Sequence, residues 1–103
     1  MSNVTDIILI TAIDDCSSDG VANHYLLSKF LITNHKGSFL RQVDGIAGGD
    51  KNFHSDVFMA AVNYLEPEKF LSAFYAIKWD NPQRVQLLIR HEADNDFTVY
   101  TPK

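Results

Sequence analysis

Cysteine is nearly absent from this 103-residue sequence: Cys16 stands alone, so no disulfide can close within the chain. A small secreted domain stapled by disulfides is therefore not expected. No apolar run approaches the roughly 18 residues that a membrane-spanning helix needs, so no membrane partner is expected. Basic residues are few, with nine Lys+Arg against thirteen Asp+Glu and a formal net charge of -4. A nucleic-acid binder is normally marked by a basic patch, so no nucleic-acid partner is expected either. The imbalance is not concentrated: residues 1–51 hold four basic and six acidic side chains, and residues 52–103 hold five and seven. Neither half reads as a basic arm or an acidic tail. With three prolines and five glycines there is no Pro- or Gly-rich linker, and no repeat or low-complexity segment interrupts the chain. The first residues lack a basic stretch leading into an apolar one, so no signal peptide is expected and a cytoplasmic location is the simplest expectation.

Hydrophobic residues make up 46% of the sequence and aromatics 12%. That is the composition of a globular protein, and the length suits a single domain over 1–103. Residues 4–13 are β-branched and almost continuously apolar, the pattern of a strand buried on both faces. Residues 21–33 predict a helix, with Ala22, Leu26 and Phe30 as its stripe, Asp19 or Ser18 as its cap, and Gly37 as its stop. Residues 39–46 predict a strand, as do residues 56–65, where Phe58, Val62 and Tyr64 share one face and Val57, Met59 and Leu65 the other. Glu66-Pro67-Glu68 opens a second helix, because proline suits the first helical position and acids suit the positive helix end. Phe70, Leu71, Phe74 and Ile77 form its apolar stripe. Residues 84–91 alternate, with Val85, Leu87 and Ile89 opposite Gln86, Leu88 and Arg90. Phe97–Thr101 then returns as a short strand after a turn.

The expected order is β-α-β-β-α-β with an added C-terminal strand. It predicts an α+β, ferredoxin-like two-layer sandwich, its antiparallel sheet extended by a C-terminal hairpin. Such a fold leaves one sheet face open, and here both faces of residues 4–13 and 56–65 are apolar. An apolar patch of that extent is unusual on a monomer. The expected partner is a second copy of the chain, giving a homodimer, or another protein, with Met59 and Leu88 at the interface. The alternative is that the C-terminal hairpin folds across that face.

Residues that carry chemistry are scattered. Gly48-Gly49-Asp50-Lys51 lies in a long connection and is the candidate binding loop, although it lacks the Gly-x₄-Gly-Lys-Ser/Thr pattern of a phosphate loop. His54, Asp56 and His24 are the candidate acid–base groups, since histidine titrates near neutrality. The histidines show no His-x₃-His or His-x-His spacing, so no metal is expected, and no cofactor motif is present. Asp14-Asp15-Cys16-Ser17-Ser18-Asp19-Gly20 reads as a solvated, capping turn. Cys16 lacks the arginine of a Cys-x₅-Arg loop, because position 22 is Ala22. Three function classes follow: a non-enzymatic interaction or regulatory domain, a small dimeric ferredoxin-like enzyme, and a small-ligand sensor. The first is preferred, because the two-faced strands are the strongest signal and no catalytic cluster is visible.

Overall fold

A computed structural model describes residues 3–103. Strand β1 (Val4–Thr11) is followed by helix α1 (Asn23–Asn34), a two-residue strand β2 (Arg41–Gln42), strand β3 (Asp56–Asn63), helix α2 (Pro67–Ala76), strand β4 (Gln86–His91) and strand β5 (Thr98–Tyr100). The five strands form one sheet in the order β2-β3-β1-β4-β5, and every neighbouring pair is antiparallel. The fold is α+β, and its layers are compatible with a two-layer sandwich. No described helix is long and apolar enough to cross a membrane.

The apolar alternation of the strands explains where the core sits. Ile7 and Leu9 of β1, Phe58 and Val62 of β3, and Leu87 and Ile89 of β4 point to one face of the sheet. There they pack with Leu27 and Leu31 of α1 and Phe70 and Phe74 of α2. Pro67 starts α2, as its fixed φ and missing N–H allow. Phe74 meets Trp79 with ring centroids 5.7 Å apart, and Phe30 meets Phe70 edge-on at the same distance. Trp79 is buried as a plug of this core rather than presented as an anchor for a partner.

Several elements depart from the sequence expectation. The stripe of α1 is shifted: Asn23, Leu27, Ser28 and Leu31 are buried, while Leu26 and Tyr25 are exposed. Two of the inward residues are polar and have polar partners, so hydrophobicity alone points to the wrong phase. The helix also starts later than residue 21. Its N-cap is Ala22, with no side-chain cap; Ser18 and Asp19 instead sit in an exposed turn closed by the Gly20 N–H donating to the Ser17 carbonyl at 2.9 Å. The helix ends at Asn34 with His35 as its C-cap, so Gly37 does not stop it; Gly37 sits in the turn beyond, with a φ of +86° that glycine adopts without strain. Leu65 enters the core instead of sharing a face with Met59. Tyr64 has a φ of +55°, and that left-handed residue resets the alternation.

The strand expected over residues 39–46 shrinks to Arg41–Gln42, and side chains cut it at both ends. Upstream, the Leu40 N–H donates to the buried Ser28 hydroxyl at 2.9 Å, drawing the chain off the sheet toward α1. Downstream, Asp44–Ile46 turns into a short 3₁₀ helix, and the Asp44 carboxylate accepts the Val57 N–H at 2.9 Å. That bond is the main reason the Asp44 carboxyl lies below its ordinary value.

Candidate functional site

The side of the sheet away from the helices is open. Its residues can be read from the register. Arg41 of β2 pairs with Met59 of β3, Met59 with Ile8 of β1, Ile8 with Leu88 of β4, and Leu88 with Val99 of β5. Directly paired residues share a face, so Arg41, Met59, Ile8, Leu88 and Val99 form one row across all five strands. Met59 is 44% exposed and Val99 54%, while Ile8 and Leu88 are half-buried between their neighbours. The C-terminal strand lies at the sheet edge beside β4 and does not fold across this row.

A second row on the same face joins Ala61, Asp6 and Arg90. The charges in it satisfy each other, since an Arg90 guanidinium nitrogen donates to an Asp6 carboxylate oxygen at 3.1 Å. Arg90 is also covered on one side by Phe97, whose ring centroid is 4.6 Å from the guanidinium carbon. A groove of about 500 Å³ runs over this part of the sheet, bordered by Phe39, Arg41, Met59, Ala61, Ile8 and Phe97.

The acid–base candidates are only partly assembled. The His24 ring stacks on Phe58, with centroids 4.0 Å apart and planes 18° apart. Burial there lowers the imidazole's pKa from its ordinary 6.5, and the nearby Asp56 carboxylate offsets part of that effect. Asp56 itself accepts the Asp14 N–H at 3.0 Å. His54 is exposed and joins neither group through any side-chain bond or ring contact among the described residues. Gly48, Gly49, Asp50 and Lys51 are all exposed, and Gly49 has a φ of +108°. Lys51 borders a recess of about 270 Å³ with Asp44, Ala47 and Phe53. Among the described residues no three His, Cys, Asp or Glu side chains converge as a metal site would require.

His24 gives a prediction about pH. A histidine held neutral by the fold takes up its proton more readily in the unfolded chain, so stability falls as pH drops from 6.5 toward the lower folded value. Above 6.5 the contribution is fully present. His24→Phe keeps a ring against Phe58 and removes the proton. Urea midpoints measured between about pH 5 and pH 8 are expected to show a steeper acid-side loss in the native chain than in this variant.

One residue within the Asp14–Gly20 cluster is not a solvated turn residue. Asp15 is 5% exposed. Its carboxylate accepts the Asn23 side-chain amide at 2.6 Å, the Asp80 N–H at 3.0 Å and the Asn81 N–H at 2.9 Å. The Asn23 N–H donates to the Asp15 carbonyl at 3.0 Å, and the Asn23 amide also reaches the Lys78 carbonyl at 3.3 Å. Asp15 thus ties the loop after β1, the start of α1 and the turn after α2 into one buried polar hub. The bonds made there serve the fold. Comparison with known protein families, curated proteins and solved structures found nothing that matches this chain.

Proposed function

We propose that this chain is a small non-enzymatic interaction domain that self-associates by stacking the open face of its sheet on the same face of a second copy. The observation that carries the reading is the continuous row Met59–Ile8–Leu88–Val99, left without cover on the side opposite the helices. Fully burying four exposed side chains of this kind contributes about 6–12 kcal/mol by transferred area; because Ile8 and Leu88 start half-buried and Met59 and Val99 about half exposed, stacking gains about half of that. Association itself costs about 4–15 kcal/mol, so the row by itself supports a weak, reversible dimer. Charge on this face does not oppose a like partner. Each copy carries a net charge of -4, yet the charges in the middle of this face, Asp6 and Arg90, are already paired. Two copies therefore meet there with the least mutual repulsion, as a two-fold interface requires of a self-complementary patch.

A ferredoxin-like arrangement belongs to the same reading, supported by the run β4-β1-β3-β2 within the antiparallel sheet, with β5 added at the β4 edge. A cytoplasmic setting fits the single unpaired cysteine. A second reading, a small dimeric enzyme or ligand sensor, is favoured by one observation, the nearness of His24 to Asp56. Sedimentation equilibrium of the full chain separates association from its absence. The expected mass is that of two 11.6 kDa chains at high concentration, falling toward one on dilution. A single-chain mass at every concentration overturns the proposal.

A further inference from the structure

The outer edge of β3 is the second unfilled surface. In an antiparallel pair a residue's N–H and C=O point to the same side, and successive residues alternate. The Val43 N–H donates to the Val57 carbonyl at 2.8 Å, so Val57 points outward to the β2 side. The Tyr64 N–H donates to the Asn3 carbonyl at 2.9 Å, so Tyr64 points inward to the β1 side. By that alternation Val57, Met59, Ala61 and Asn63 all point outward. Asp44 takes the Val57 N–H, and Arg41 pairs with Met59. Among the described residues nothing bonds to the outward groups of Ala61 and Asn63. Just upstream of Arg41 the Leu40 N–H, on the side away from β3, donates to the buried Ser28 hydroxyl.

We propose that this vacated stretch of β3 receives an extended, acidic peptide segment by strand addition. Three features converge on it. The unpaired ladder groups offer main-chain bonds to any extended backbone. Ala61 is small and opens onto the groove bordered by Phe39, Met59 and Ile8, which accepts an apolar side chain from the incoming strand. Arg41 stands at the end of the vacancy with its guanidinium over the Phe39 ring at 5.5 Å and no carboxylate partner among the described residues. A carboxylate on the peptide supplies that partner, and arginine holds carboxylates through paired, charge-assisted bonds. The edge lies at the side of the sheet, two strands from Leu88. The ladder groups are distinct from the stacking row, but the groove shares Met59 and Ile8 with it, so a bound peptide competes with stacking there.

The test is a titration of the ¹⁵N-labelled full chain with an acetylated Thr-Val-Thr-Val-Asp peptide, followed by amide shifts and hydrogen exchange. Saturable shifts and slowed exchange at the Ala61 and Asn63 amides are expected. Replacing the peptide's aspartate by an amidated lysine is expected to weaken binding about tenfold, and Arg41→Glu should do the same to the aspartate peptide. Unchanged Ala61 and Asn63 amides at millimolar peptide overturn the proposal. So do shifts confined to Leu88 and Val99, or equal binding of the two peptides. The titration is run at a concentration where sedimentation gives the single-chain mass, so failure of peptide binding is distinguished from failure of stacking.

Discussion

Met59→Asp is expected to turn the associating chain into a monomer while leaving each subunit folded. Met59 lies in the open row between Arg41 and Ile8 and is 44% exposed, so a carboxylate there remains hydrated in the single subunit. A substitution at such a position changes subunit stability by about 0.5 kcal/mol or less. In a stacked pair the same carboxylate meets apolar side chains, and two-fold symmetry places two of them in one interface. A desolvated, unpaired charge costs several kcal/mol, so the dissociation constant should rise by at least about a hundredfold. Sedimentation together with urea unfolding reads both halves of the expectation. A variant that unfolds outright would place Met59 in internal core, and one that still pairs with native affinity would place the interface elsewhere.

Asp15→Ala is expected to produce the largest loss of stability of any single change in the loops. It strips the acceptor from the Asn23 amide, the Asp80 N–H and the Asn81 N–H at once. Buried donors left without partners pay their desolvation in full, and the combined loss is about 3–5 kcal/mol. That is a large share of the roughly 5–15 kcal/mol that holds a domain together. Asp15→Asn keeps one acceptor oxygen but aims an amide at the remaining donors, and should fall between the two. Asp19→Ala, four residues away on the exposed turn, should change stability by no more than about 0.5 kcal/mol, because its side chain caps nothing. Equal effects at Asp15 and Asp19 in urea unfolding would remove the hub from the account.

The contrast between these two aspartates shows what the sequence makes legible. Elements whose cause is local are readable. The β-branched run ending at Thr11, the Pro67 start of α2 and the alternation of Leu87 and Ile89 against Gln86 and Leu88 each follow from neighbours along the chain. Elements decided by distant side chains are not. β2 ends where the Leu40 N–H is bonded to Ser28 on α1, a contact far away in sequence. The stripe on α1 is misphased because Asn23 and Ser28 are buried polar residues whose partners lie on other segments. Asp15 looks like its exposed neighbours until the turn at Asp80 and Asn81 folds against it. The candidate site divides in the same way. Met59 and Leu88 follow from strand alternation and do lie on the open face. The vacancy at Ala61 and Asn63 follows from β2 being only two residues long, and no local pattern announces it.

The central claim, that two copies meet through the open sheet face, is tested most directly by mixing isotope-labelled with unlabelled chains and recording isotope-filtered NOEs. The account predicts contacts between subunits among the methyl groups of Met59, Ile8, Leu88 and Val99. Intersubunit contacts at the exposed Tyr25, Leu26 and Ile32 of α1, with none on the open sheet face, would contradict it.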